Sequence, residues 1–129
     1  MLFRSEYLNG DPGIYSARYA GEHGNSEENN KKLLLKLKGV PYENRRAKFV
    51  SAIALMDDEA RFTVVEGEAY GYIIEDYRGG KGFGYDPLFY FPGRNKTFAE
   101  MSEEEKNGLS HRGKALKKLK IEIEKLVEL

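Results

Sequence analysis

The chain has 129 residues, 40% hydrophobic and 33% charged, which fits one domain (residues 1–129) and excludes wholesale disorder. Its 21 basic and 21 acidic residues cancel, so no general attraction to nucleic acid or to a membrane surface is expected. Cysteine is absent, which excludes a disulfide scaffold and cysteine-ligated metals. Because the sequence has no apolar run of the ~20 residues that a membrane span needs, we expect a cytoplasmic protein.

The first third of the chain is predicted to hold a turn-rich segment and one helix. Residues 8–20 begin with the turn-forming pairs Asn-Gly and Pro-Gly. Residues 25–38 carry leucines at helical spacing behind a capping residue, and Gly39 ends the pattern.

A long hairpin is predicted next. Residues 47–56 are typical of a central strand, Asp57, Asp58 and Glu59 provide the turn, and residues 61–75 alternate as a second strand. Gly67 and Gly71 are predicted to mark a bulge or bend in that second strand.

The last part is predicted to hold a short strand over residues 88–91 and two helices. Ser102 begins the first helix, which Gly108 is predicted to end, and Ser110 caps the final helix. A buried stripe is predicted along the final helix at Ala115, Leu116, Leu119, Ile123, Leu126 and Val127. Strands followed by helices indicate a mixed α/β or α+β fold.

Two segments carry chemistry-bearing residues. Residues 79–84 hold four glycines, and the neighbouring rings of Phe83 and Tyr85 could clamp a flat ligand ring by stacking. A hairpin loop with core aromatics is the alternative, and it stays open. The dinucleotide-binding glycine pattern is not present, because residue 85 is tyrosine.

The second segment is the start of the final helix. Ser110, His111 and Arg112 lie where free backbone N–H groups and the positive end of the helix dipole are concentrated. Arg112 offers a planar fork of donors, His111 a directional donor or acceptor, and Lys106 a point charge. A capped helix start with solvated basic residues is the alternative.

No metal site is predicted. Asp57, Asp58 and Glu59 are typical of a solvated turn, no second carboxylate cluster has a matching spacing, and His23 lies in a surface loop.

Taken together, five blocks of sequence resemble the inosine/xanthosine triphosphate pyrophosphatase family. The two most specific are Gly-Phe-Gly-Tyr-Asp-Pro-Leu-Phe at residues 82–89 and the Ser-His-Arg-Gly block within residues 98–116. The other blocks lie at residues 8–21, 29–34 and 46–49.

The resemblance implies an elongated, mixed α/β sheet in two lobes, with a nucleotide in the cleft and a homodimer as the usual assembly. It also implies cleavage of ITP, dITP and XTP between the α and β phosphates, which yields the monophosphate and pyrophosphate with the help of Mg²⁺.

Roles for individual residues follow from the same resemblance. Phe83 would stack on the base, and Tyr85 and Asp86 would complete the pocket wall. Gly84 is expected among the substrate-binding residues, and Lys106 would contact the nucleotide. His111 and Arg112 would read the 6-keto edge, Ser110 is expected among the substrate-binding residues, and Arg18 would lie near the cleft. A keto oxygen accepts hydrogen bonds where adenine's amino group donates, so a site of donors would favour 6-keto purines.

The sequence departs from the family pattern at its start. Family members carry a Thr/Ser-x-Asn-x-x-Lys loop, a metal-binding Glu and an Asp-Asp-Ser-Gly-Leu segment with a general base, and residues 1–5 do not match these. We therefore expect the C-terminal two-thirds of the family pattern, no catalytic or metal-binding residue in this chain, and impaired turnover. The alternative is a noncatalytic purine-nucleotide-binding or dimerising module that another chain completes.

Overall fold

The structure is a computed structural model that describes residues 2–79 and 84–127. Its strands form one sheet in the order β2-β1-β3-β4-β5-β6, and every strand pair is antiparallel. The strands are β1 (Leu2–Ser5), β2 (Pro12–Gly13), β3 (Arg46–Met56), β4 (Phe62–Ile73), β5 (Phe89–Phe91) and β6 (Lys96–Thr97). The helices are α1 (Ser26–Lys36), α2 (Glu103–Leu109) and α3 (His111–Val127).

The predicted mixed α/β fold is confirmed, as are its longest elements. The side chain of Asn25 accepts a hydrogen bond from the backbone N–H of Glu28 and so caps α1. Ser102 caps α2 in the same way, although that helix continues through Gly108 to Leu109. Sequence patterns did not predict the short strands β1, β2 and β6.

The β3–β4 hairpin is the centre of the sheet. Its register runs without interruption from Arg46 opposite Tyr72 to Met56 opposite Phe62. At the turn, the carboxylate of Asp57 accepts hydrogen bonds from the backbone N–H groups of Glu59 and Arg61, as solvated turns commonly arrange them.

The bulge predicted at Gly67 and Gly71 is wrong, because both glycines lie in the regular ladder. They are needed for close packing instead. A Cβ atom at Gly67 would lie 2.1 Å from the carbonyl oxygen of His111, and one at Gly71 would lie 2.5 Å from the carbonyl oxygen of Tyr90. The missing side chains therefore let α3 and β5 approach the strand.

The core lies on the face of the sheet that α3 covers and is mainly aromatic. Phe49 of β3 is its centre, with ring centroids 4.6 Å from Phe3 and 4.8 Å from Phe89. Phe98 closes the cluster at 4.8 Å from Phe89. Offset and edge-on pairs of this kind add to the stabilisation from burial alone.

The stripe predicted along α3 is buried only at its start. Ala115 is buried, whereas Leu116, Ile123, Leu126 and Val127 are exposed. The close approach of helix and sheet is made in the first turns of α3, above Gly67, and this explains why the prediction is wrong for the later residues. In the described part of the chain, no helix combines the length and the apolar character of a membrane span.

Candidate functional site

The segment after the glycine-rich loop meets the corner between α2 and α3 through an ion pair. The carboxylate of Asp86 is buried, and the ammonium group of Lys106 donates a hydrogen bond to it. Burial raises the pKa of Asp86, and the positive charge of Lys106 opposes that rise. The pair fixes the loop segment against α2 and holds the Lys106 side chain 5.9 Å from the centre of the Phe98 ring.

His111, the first residue of α3, lies beside this pair and is only 4% exposed. Its ring is stacked on Phe49 with centroids 4.7 Å apart and planes inclined by 14°. Burial, together with the positive charges of Lys106 and Arg112, lowers the pKa of His111 to about 4. The imidazole is therefore neutral at pH 7, and its Nδ1 has no hydrogen-bond partner among the described residues.

This neutral state makes stability depend on pH. Because the pKa of His111 in the folded chain, about 4, lies below the ordinary histidine pKa of 6.5, the unfolded chain binds more protons between these pH values. We expect the free energy of unfolding to fall as pH falls from 6.5 towards 4, by up to about 3 kcal/mol from this group. Urea unfolding at pH 7.0 and 4.5 checks this, with His111→Gln as the variant that should lose that part of the slope. An equally steep slope in the variant would contradict the assignment.

Ser110 and Arg112 flank the histidine but differ in their surroundings. The Ser110 hydroxyl is buried and accepts a hydrogen bond of 3.0 Å from the backbone N–H of Gly113, so it serves as the cap of α3. Arg112 is exposed and makes no ion pair with any residue in the described ranges. Its donors are therefore available to a ligand.

Tyr85 and Gly84 contact residues of the core and of α1. The Tyr85 ring is stacked on Phe3 with centroids 4.7 Å apart, and its hydroxyl donates to the carbonyl oxygen of Ser16 at 2.6 Å. Gly84 has a positive φ of 60°, and its carbonyl oxygen accepts from the side chain of Asn30 at 2.9 Å. Of the two interpretations of this loop, core packing is the one observed for Tyr85.

Two candidate residues remain, Phe83 and Arg18. Phe83, predicted to stack on a base, lies outside the described residues. Arg18 ends the 3₁₀ turn Ser16–Arg18, where its guanidinium lies 5.1 Å from the centre of the Tyr15 ring. It forms no ion pair with another described residue.

Sequence reasoning missed Asn30 and Phe49 as supports of this region. Asn30 is buried in α1, where its side chain donates a hydrogen bond to the carbonyl oxygen of Gly84. The ring of Phe49 stacks on the ring of His111. For Asn30 a signal was present, because it lies three and four residues before Leu33 and Leu34 on the apolar side of the helix. A polar residue at such a position must find a partner when buried.

The cluster of Asp86, Lys106, His111 and Arg112 offers cationic donors and a neutral imidazole around one corner of the fold. Such groups suit a ligand with carbonyl oxygens and ring nitrogens. They do not fit a magnesium ion. Among residues 2–79 and 84–127 there is no group of three or more His, Cys, Asp or Glu side chains that could hold a metal.

Comparison with known proteins places the chain in a family. The model of the Ham1 family matches residues 3–122. The dITP/XTP pyrophosphatase of Clostridium perfringens is 57% identical over 115 residues, which are 89% of this chain and 56% of that protein. The dITP/XTP pyrophosphatase of Caldanaerobacter subterraneus is 54% identical over 123 residues, which are 95% of this chain and 61% of that protein.

Solved structures agree with the sequence relatives. The Ham1 protein of Staphylococcus aureus superimposes with a TM-score of 0.90 at 43% identity, covering 95% of this chain and 63% of that one. A HAM1 protein from Coxiella burnetii gives a TM-score of 0.88 at 37% identity, covering 96% and 64% of the two chains. The chain thus spans about three-fifths of the length of the relatives it matches.

Proposed function

Because the chain belongs to the Ham1 family, we propose that it acts on nucleoside triphosphates as a pyrophosphatase, with dITP, ITP and XTP as substrates. The products are the nucleoside monophosphate and pyrophosphate. Two relatives at 57% and 54% identity that bear the name dITP/XTP pyrophosphatase support this proposal.

We propose that the base is bound by the set derived from the sequence: Phe83, Gly84, Tyr85, Asp86, Lys106, Ser110, His111 and Arg112. The observation that supports the proposal is the ion pair between buried Asp86 and Lys106, which links the segment after the glycine-rich loop to the end of α2, next to the Ser110–Arg112 start of α3. Within the set, Asp86 holds Lys106, Ser110 caps α3, and Tyr85 anchors the loop to the core.

Selection for a 6-keto purine follows from the donors at this corner. Arg112 has a free guanidinium that can donate to the oxygen at C6, and neutral His111 can complement the neighbouring ring nitrogen. Adenine presents an amino group where inosine and xanthine present that oxygen. Two donors would then face each other, and a buried donor without an acceptor costs about 1–3 kcal/mol.

We further propose that this 129-residue chain by itself hydrolyses nucleoside triphosphates slowly, that it forms a homodimer, and that it acts in the cytoplasm. Mg²⁺ neutralises the phosphate charge in reactions of this class. The described residues do not fit a site for it, so we derive no step through the metal.

Pyrophosphate release from dITP and XTP, measured with Mg²⁺ present and with dATP as the comparison substrate, tests this proposal. We expect release that is slow in absolute terms but at least about 10-fold faster with dITP than with dATP, since one lost hydrogen bond of this kind is worth about 1.4 kcal/mol or more. Equal rates for the two substrates would contradict the assignment of the site. Turnover that appears only after mixing with a separate N-terminal fragment of a relative would favour a binding module completed by another chain.

A further inference from the structure

The segment that follows the glycine-rich loop is fastened to different elements at three successive residues. Tyr85 is held by the core and Asp86 by α2. Gly84 has no side chain, and its carbonyl oxygen accepts a hydrogen bond of 2.9 Å from the side-chain amide of Asn30 in α1. No backbone hydrogen bond reaches Gly84 from the described residues. Within those residues, Asn30 is therefore what fastens Gly84.

The conformation of Gly84 needs such a fastening. Its φ is 60°, and the rotation about its Cα–C bond decides where its carbonyl oxygen points. Glycine allows a wider range of backbone rotations than any other residue, so the chain alone does not fix that direction. We propose that Asn30 is a positioning residue for base binding, which holds the Gly84 carbonyl and so sets the path of the backbone into Tyr85 and Asp86.

The inference deepens the proposed function and rests on it, because Gly84, Tyr85 and Asp86 belong to the proposed base-binding set. A segment that is held in its bound conformation before the ligand arrives loses less conformational entropy on binding. Asn30 would therefore raise affinity for the base without touching it.

The helix that carries Asn30 is a firm support. Leu33 and Leu37 lie three and seven positions after Asn30, on the same face of α1, and both are fully buried. The Asn30 side chain itself is buried among them, with 2% of the residue exposed. Side chains that project from a packed helix hold their partners more precisely than side chains on a loop.

The Asn30 amide is paired at one end only among the described residues. Its nitrogen donates to Gly84, whose carbonyl oxygen can only accept, and this fixes the orientation of the amide. Its Oδ1 atom is then buried without a partner within the described ranges. A half-paired buried amide is less favourable for folding than an apolar side chain of the same shape. A departure of this kind from good packing is typical of a functional position.

The neighbouring asparagine shows the contrast. Asn29 is 4% exposed and is paired at both ends. Its Oδ1 accepts a hydrogen bond of 2.8 Å from the backbone N–H of Ala20, and its amide nitrogen donates to the carbonyl oxygen of Ala17 at 3.1 Å. These contacts fasten residues 17–20 and not the segment at residues 84–86. Asn29 is therefore the matched control, with the same residue type, helix and burial.

Leucine variants of the two asparagines test the inference, because leucine has a similar branched shape and no donor. Asn30→Leu is expected to weaken IMP binding about 10-fold in calorimetry, equivalent to about 1.4 kcal/mol. Its midpoint of urea unfolding should equal or exceed that of the wild type, because the unpaired Oδ1 is removed. Asn29→Leu should have a lower midpoint, because it leaves two backbone groups unpaired, and should bind IMP within about 2-fold of the wild type.

The ratio of IMP to AMP affinity separates positioning from reading of the base. The donors that distinguish the two bases lie at the start of α3, which Asn30 does not contact through any hydrogen bond among the described residues. Asn30→Leu should therefore weaken IMP and AMP by the same factor and keep their ratio within about 2-fold of the wild type. A ratio that falls to one in Asn30→Leu would contradict a positioning role.

Hydrogen exchange of the backbone amides of residues 84–89 follows the fastening without a ligand. Exchange is expected to be at least about 5-fold faster in Asn30→Leu and unchanged in Asn29→Leu. Wild-type IMP affinity in Asn30→Leu would overturn the inference, as would a loss of stability in that variant with unchanged exchange. A wild type that does not bind IMP would contradict the proposed function, and the exchange rates would then decide separately whether Asn30 fixes Gly84.

Discussion

Replacing Lys106 by methionine is expected to lower the free energy of unfolding by about 3 kcal/mol at pH 7. The variant leaves the carboxylate of Asp86 buried without its partner, and breaking a buried ion pair from one side costs about 3–5 kcal/mol. The lower figure applies because the Lys106 side chain is 29% exposed. Urea unfolding at pH 7 measures the loss.

The pH dependence of this loss identifies its cause. Burial already raises the pKa of Asp86, and removal of the Lys106 ammonium raises it further. Protonation on acidification then removes the unpaired charge, so the difference between variant and wild type should shrink as pH falls. Lys117→Met is the control, because Lys117 is exposed on α3, and its effect should stay within about 0.5 kcal/mol. If the two variants are equally stable, the ion pair does not hold this corner together.

Gly67→Ala is expected to weaken IMP binding at least about 10-fold. The new Cβ atom would lie 2.1 Å from the carbonyl oxygen of His111 and 2.5 Å from the backbone nitrogen of Ala115, so the start of α3 must move. Both obstacles are backbone atoms, and relief by side-chain rotation is therefore not available. Overpacking of this kind costs about 1–3 kcal/mol, and a shift of about 1 Å in a site can cost 100-fold in function.

Gly108→Ala is the matched control for Gly67→Ala. Gly108 lies in α2, close in sequence to the same corner. Apart from its chain neighbours and the backbone of α2, no heavy atom of the described residues lies within 4 Å of the Cβ atom it would gain. Alanine there should bind IMP as the wild type does and be up to about 1 kcal/mol more stable, because alanine favours the helix. Isothermal titration calorimetry of both variants decides the matter. Wild-type affinity of Gly67→Ala for IMP would show that IMP binding does not depend on the close packing of α3 against the sheet.

The long elements could be predicted from the sequence because each carries its own periodic pattern. The leucines of α1 repeat at helical spacing, and β3 and β4 form runs of apolar and β-branched residues around an acidic turn. The strand β1 could not be predicted, because its four residues are ordered by pairing with β3, more than forty positions away. Strands of two residues such as β2 and β6 carry no periodicity of their own.

The residue types of the candidate site can be proposed from the sequence, whereas the residues that support them cannot. The residue types of one short block indicate Lys106, His111 and Arg112 as candidates, and the structure joins the first of them, Lys106, to Asp86. The stacking of His111 on Phe49 and the contact of Asn30 with Gly84 depend on tertiary packing between distant segments. The role of Gly67 was misread for the same reason, since a glycine that admits a helix and a glycine that forms a bulge look identical in sequence.

The central claim is that the corner built from Asp86, Lys106, His111 and Arg112 recognises a 6-keto purine, and the ratio of the dissociation constants for IMP and AMP tests it most directly. Calorimetry on the wild type should find IMP bound at least about 10-fold more tightly than AMP, equivalent to about 1.4 kcal/mol. Arg112→Met should bring that ratio close to one, whereas Lys120→Met on the exposed side of α3 should keep it. Equal affinity of the wild type for IMP and AMP, or a ratio that survives in Arg112→Met, would contradict the claim.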